Sequence, residues 1–174
     1  METTEKIVEA YVRYVKGWFT IPNIKCDGQM EIDLLAIDAA NPRKIRRYHI
    51  ESGVSISGSY SKLTTKQFSA GDLKKRIKQA GQRRTLEYFT ERKFGNPNVV
   101  EKLRLCGFEA GNYTKVIVSW DWRDDVPEAA KGAGVKLWSF REILRKISND
   151  FQEKRTYFTD DTMRTLQLMA RTTS

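Results

Sequence analysis

Two acidic residues sit where acids are costly. Asp33 lies within Met30 to Asp38, and Glu51 within Ile45 to Ile56, segments otherwise rich in Ile, Leu, Val and Tyr. A buried carboxylate without a partner is strongly disfavoured, so each must pair with a basic side chain or hold a metal. Two carboxylates on neighbouring strands make a hard, oxygen-only donor set. That set suits Mg2+ or Mn2+, because magnesium needs only one or two protein carboxylates when waters and substrate phosphate oxygens complete its shell. Such an ion acidifies a water and offsets charge on a phosphate, so the chemistry expected is phosphodiester hydrolysis.

The elements that must carry these residues follow from periodicity. In Met30 to Asp38, alternation places Met30, Ile32, Leu34 and Ala36 on one face and Glu31, Asp33, Leu35 and Ile37 on the other. From Ile45 to Ile56, Tyr48, Ile50, Val54 and Ile56 form the buried set, with His49, Glu51, Gly53 and Ser55 opposite. Both acids therefore point away from the main apolar stripe.

Upstream, Ile7, Val8, Tyr11, Val15 and Trp18 recur at helical spacing, with Thr3 or Thr4 as N-cap and Gly17 as terminator. A short strand from Trp18 to Asn23 and a turn at Cys26 to Gln29 follow. Beyond a Ser/Gly-rich loop at Ser57 to Ser61, the spacing predicts one long basic helix from Gly71 or Asp72 to Lys93, with Leu73, Ile77, Ala80 and Tyr88 toward the sheet. Tyr113 to Trp120 reads as a buried strand, Pro127 to Lys131 as a short helix and Val135 to Trp138 as an edge strand. A helix capped by Ser139 runs to Ile147, and another spans Asp160 to Ala170. The order αβββαβαβα implies an α/β fold, a mixed sheet flanked by helices. Residues 1–174 read as a single domain, with 159–174 a peripheral C-terminal helix.

Lys and Arg number 31 against 22 Asp and Glu, a net charge of +9, which favours polyanionic partners. The stretch from Lys74 to Lys93 concentrates this excess, with eight cations against two acids, and so favours phosphate contact through Lys74, Lys75, Arg76, Lys78, Arg83 and Arg84 over a merely solvated helix face. Nucleic acid is the partner expected, DNA favoured over RNA, although phosphate-directed charge does not distinguish the sugars. Two cysteines and one histidine are too few for a structural zinc site or a disulfide framework. With no basic and apolar leader and no long apolar run, a cytoplasmic, non-membrane protein is expected.

These residues resemble the PD-(D/E)XK nuclease superfamily, particularly its archaeal Holliday-junction resolvases and restriction-endonuclease-like members. The resemblance covers most of Thr3 to Phe140 and rests on the first helix with Glu9, on Gly28-Gln29-Met30-Glu31-Ile32-Asp33-Leu34-Leu35-Ala36, and on Tyr48-His49-Ile50-Glu51-Ser52-Gly53. It implies a restriction-endonuclease-like fold and a Mg2+-dependent endonuclease, a hydrolase of DNA. By the same resemblance Asp33 and Glu51 bind the metal, the backbone carbonyl of Ser52 joins them, and Glu9 completes the catalytic set. Junction-cutting relatives work as dimers, which implies a homodimer here.

One departure is plain. The family pattern has Lys two residues after the Glu, where this chain has Gly53. That lysine orients the attacking water and offsets developing charge, so Lys62, Lys66, or Lys74 and Lys75 are the candidate substitutes. The missing lysine also supports a rival reading, a catalytically degenerate protein that binds nucleic acid without cleaving it. Among the neighbours, Glu31 faces solvent or supports the site. His49 reads as a surface or hydrogen-bonded structural residue in preference to a general base, and Trp120, Trp122 and Trp138 as packing residues in preference to base-stacking platforms.

Overall fold

The computed structural model describes residues 2–55, 62–153 and 157–172, the side chains of residues 76 and 77 excepted. The chain opens with α1 (Thr3–Ala10), whose start is fixed by Glu5 reaching back to accept the N–H of Glu2 at 2.9 Å, so Glu2 and not Thr3 or Thr4 is the N-cap. A wide π-helical turn, Tyr11–Val15, extends α1, and Gly17 ends it at φ +71°. Strand β1 (Phe19–Cys26) is longer than the sequence suggests and forms an antiparallel hairpin with β2 (Met30–Asp38). Its Pro22 is tolerated because β1 is an edge strand. β3 (Arg46–Ser52) pairs antiparallel with β2 and parallel with β5 (Tyr113–Ser119), which pairs parallel with β7 (Val135–Ser139). The sheet order is β1-β2-β3-β5-β7, mixed as expected, with β7 at an edge. Residues β4 (Lys62–Leu63) and β6 (Asp121–Trp122) form a small separate parallel pair.

The long basic helix is not one helix. It is divided into α2 (Ala70–Leu73), α3 (Arg76–Gln82) and α4 (Leu86–Tyr88), the last running into a π-helical turn at Phe89–Phe94. The second break has a tertiary cause. Thr64 donates its N–H to Arg84 O at 2.9 Å and accepts the N–H of Leu86 at 2.8 Å, which holds Thr85 extended (φ −106°, ψ 143°). The Thr85 hydroxyl then accepts the N–H of Tyr88 at 3.1 Å and starts a new helix. α5 (Pro97–Leu105), which the periodicity reading passed over, begins at an Asn96 cap with Pro97 in its first turn. α6 (Val126–Gly132), α7 (Phe140–Glu153) and α8 (Asp161–Thr172) complete the chain, α7 extending well past Ile147.

Helices cover both faces of the sheet. α1, α7 and α8 bury Ile7, Val8, Val12, Ile143, Ile147 and Met163 against Leu34, Ala36, Tyr48, Ile50, Val116 and Val118. On the opposite face Phe89 and Phe94 pack with Ile117 and Val135, and α5 brings Val99 and Leu103 to Leu35. Strict alternation fails in β2. Ile32 and Met30, expected beside Leu34 and Ala36, pack with Leu35 and Ile37 around α5. The change falls where Asn23 on β1 takes φ +57° and the β1–β2 ladder, in one register on both sides, omits the Asn23/Asp33 pair. Trp120 and Trp138 pack against the first cluster and Trp122 against the second, as packing residues. Ile56 and the Ser57 to Ser61 loop lie outside the described residues, as does the side chain of Arg76. No helix among the described residues is long and apolar enough to cross a membrane.

Candidate functional site

Asp33 lies at the one β2 position between Ile32 and Leu34 that the β1–β2 ladder leaves out. The β2–β3 ladder runs from Asp38↔Arg46 to Leu34↔Ile50 and stops, so Asp33 and Glu51 lie just beyond the last paired residues. There the strands exchange side-chain bonds instead. Ser52 donates its N–H to Asp33 Oδ2 at 2.7 Å, and Asp33 donates its own N–H to Glu51 Oε1 at 3.4 Å. Glu51 is fully buried and Asp33 is 7% exposed.

Between the two carboxylates stands a residue that strand spacing could not reveal. Lys93, in the π-helical turn after α4, places Nζ 3.0 Å from Asp33 Oδ1 and 2.5 Å from Glu51 Oε2, and donates to Glu31 O at 3.2 Å. The same turn explains Gly53. A Cβ on Gly53 would lie 2.5 Å from Phe89 Cζ, inside the contact distance of any side chain. Phe89 is 2% exposed and cannot swing into solvent. One helical turn separates Phe89 from Lys93, so the element that excludes a side chain at position 53 delivers an ammonium to the site.

Comparison adds nothing to this. No family model, curated protein or solved structure matches the chain.

The electrostatics follow from burial. Loss of solvation, then the charge of Glu51, push Asp33 up to about 7, against the opposing pull of Lys93 and the Ser52 N–H. Desolvation likewise raises Glu51 to about 7, although Lys93 favours its ionised form. Burial opposes the charged form of Lys93, but Glu51 and Asp33 together outweigh it and hold the ammonium protonated. With both carboxyls ionised, the one ammonium leaves one formal negative charge uncompensated. That residual charge suits a divalent cation, which would share Glu51 Oε2 with the Lys93 ammonium 2.5 Å away. Among the described residues no three His, Cys, Asp or Glu side chains are grouped so as to hold a metal by themselves, so waters or phosphate oxygens would have to complete the shell.

The other candidate residues are placed less centrally. Glu9 accepts from the Thr20 hydroxyl at 3.1 Å and lies 3.9 Å from Arg13, tying α1 to β1. Glu5, one turn earlier and partly buried, is the α1 carboxylate whose pKa burial raises and which feels the charge of Asp33. Lys62, Lys66, Lys74 and Lys75 are exposed, and among the described contacts none reaches the two acids. Lys75 and Lys78 share Asp72 at 3.0 and 3.2 Å. Arg83 is exposed, whereas Arg84 is half-buried and donates to Val54 O at 3.2 Å, three residues past Glu51. Glu31 pairs with Lys25. His49 is neither at the surface nor free, as it lies fully buried with Nε2 2.7 Å from Glu51 Oε1.

Proposed function

We propose that the chain is a Mg2+- or Mn2+-dependent endonuclease acting on DNA, built on the restriction-endonuclease-like plan of the PD-(D/E)XK superfamily, with Lys93 in the role of the absent motif lysine. The observation that carries this reading is the Lys93 ammonium lying between Asp33 and Glu51 while Phe89 fills the space a side chain at position 53 would need. Asp33 and Glu51 would hold the cation, with the Ser52 carbonyl available beside them. When bound, such a cation supplies an acidified water and neutralises phosphate charge. Lys93 would release one of its three acceptors, Asp33 Oδ1, Glu51 Oε2 or Glu31 O, to donate to the attacking water, and would offset charge on the phosphate oxygens. The Ser52 N–H, donating to Asp33 Oδ2, would hold that carboxylate where it is needed. Arg84, which donates to Val54 O beside the exit of β3, would be the arginine nearest a substrate phosphate.

The rival reading, a degenerate protein that binds nucleic acid without cutting it, also has an observation in its favour, since the Lys93 salt bridge fills the space between the acids. One experiment separates them. Wild type, Asp33→Asn, Glu51→Gln and Lys93→Met are incubated with duplex, single-stranded and branched DNA in Mg2+ or Mn2+. The nuclease reading expects metal-dependent cleavage by wild type and a loss of at least about 100-fold in each variant, because each removes a charge that stabilises the transition state. Absence of cleavage by wild type on every substrate supports the binder. Cleavage by Lys93→Met at the wild-type rate removes Lys93 from the mechanism.

A further inference from the structure

His49 is the only histidine in the chain, is fully buried, and lies on β3 two residues before Glu51, so both side chains project to the same side of the strand. Phe94 meets its ring edge-on at 4.8 Å and Tyr113 lies 6.2 Å away. A leucine or phenylalanine would fill this space with no polar atom to satisfy, yet an imidazole is present. Its one hydrogen bond among the described contacts goes to Glu51 Oε1, at 2.7 Å.

The proton on that bond can be assigned. Nε2 faces a carboxylate oxygen at 2.7 Å, and an ionised carboxylate, as a metal ligand must be, can only accept. A neutral ring has one N–H. Glu51 Oε1 already accepts the Asp33 N–H, so the ring hydrogen belongs on Nε2 and points at Oε1. Nδ1 is then a bare lone pair with no hydrogen-bond partner among the described residues, a smaller penalty than a buried, unmet N–H. Two donors thus converge on Oε1, the Asp33 N–H at 3.4 Å and the ring at 2.7 Å, while Oε2 faces the Lys93 ammonium.

We propose that His49 is a positioning residue, which holds Glu51 by Oε1 so that Oε2 is presented to the cation. The inference rests on the metal-dependent reading of the site and adds to it the group that fixes the second ligand's orientation. Partners that orient metal ligands from behind typically change affinity by about 10- to 100-fold when removed.

The test uses Mn2+ calorimetry on wild type, His49→Leu and His49→Gln, with thermal melts to establish folding. His49→Leu keeps the apolar contacts and loses the donor, so Mn2+ should bind about 10- to 100-fold more weakly. His49→Gln restores an N–H near the Nε2 position and should recover most of that loss. Because the histidine is unique, long-range 1H–15N spectra of the wild type give a second readout that needs no variant. They should show the Nε2–H form, and Mg2+ should move the Nε2 resonance more than Nδ1. Undiminished Mn2+ affinity in folded His49→Leu, or equal weakening in His49→Leu and His49→Gln, overturns the positioning role and leaves the metal site standing. An Nδ1–H form overturns it as well. Absence of Mn2+ binding by wild type removes the metal reading, and this inference falls with it.

Discussion

At the scale of single residues, the site combines two acids whose protonation is set by burial with a lysine whose charge is set by them. Cation binding requires ionised carboxylates, and Asp33 and Glu51 are both raised to about 7. Protons would therefore compete with a bound cation below that pH. Mn2+ affinity should rise as pH climbs from 6 to 8, by about tenfold for each proton displaced, and then level off. Calorimetry in two buffers of different ionisation enthalpy measures the proton release directly, and a pH-independent affinity would exclude these carboxylates as ligands. In the metal-free protein the sign is opposite for stability. A carboxyl group with a raised pKa contributes stability that is fully present below its unfolded value near 4 and is lost as pH rises through about 7. His49, lowered to about 3 by burial, works the other way, its contribution present above about 6.5 and lost as pH falls toward 3.

Gly53 belongs to the same scale. Placing there the lysine that the PD-(D/E)XK pattern would have looks like a repair when only the strand is considered. The structure makes it a clash, because the new Cβ would lie 2.5 Å from the ring of Phe89. Gly53→Lys should destabilise the fold by about 1–3 kcal/mol, as overpacking does, and should lower activity through displacement of Phe89 and with it Lys93. Urea unfolding gives the first quantity. Stability equal to wild type in Gly53→Lys would show that Phe89 can yield.

At the scale of elements, the strands bearing Asp33 and Glu51 were legible because a two-residue period and a buried acid can be read from neighbours alone. The helix bearing Lys93 was not. Lys93 meets Asp33 across 60 residues, and the break that sets its phase depends on Thr64 pairing with the backbone around Thr85, a contact without any local signature. The spacing of cations between Lys74 and Lys93 suggested continuity precisely where tertiary pairing imposes extension. α5 is a different case, since Asn96 before Pro97 and the Val99/Leu103 spacing are local helix signals. Alternation fails at Ile32 beside the Asn23/Asp33 position that the β1–β2 ladder omits, another feature read only from the partner strand. Thr85 is the residue on which the break can be tested. Its hydroxyl donates to Gln82 O at 2.9 Å and accepts from Tyr88, and it is 2% exposed. Thr85→Val keeps the volume and removes both bonds. It should cost about 1–2 kcal/mol of stability by chemical denaturation. A loss of cleavage in the variant beyond what its unfolded fraction explains would show that the cap also sets the position of Lys93.

At the scale of the whole molecule, the net charge of +9 acts through its distribution. Lys75 and Lys78 lie beside Asp72, which compensates part of their charge, whereas Lys74 and Arg83 are exposed and have no acidic partner among the described contacts. If the segment follows a phosphate backbone, those two residues contribute most per charge. Each phosphate neutralised releases condensed counterions, so the logarithm of affinity falls linearly with the logarithm of salt, with a slope of about −0.9 per contact on duplex DNA. Fluorescence anisotropy with a labelled duplex in Ca2+ or without metal keeps binding separate from cleavage. The double variant Lys74→Glu, Arg83→Glu should bind more weakly to all sequences alike and flatten the slope by about 2, since phosphate contacts position a protein without reading bases. Lys78→Glu should change the slope less, because Asp72 already offsets that charge. A wild-type affinity that does not respond to salt would remove the nucleic-acid partner altogether. An unchanged slope in the double variant would instead place the phosphate-binding surface elsewhere, with the cluster of Lys44, Arg46, Arg47 and Lys136 at the opposite end of β3 as the next surface to reverse.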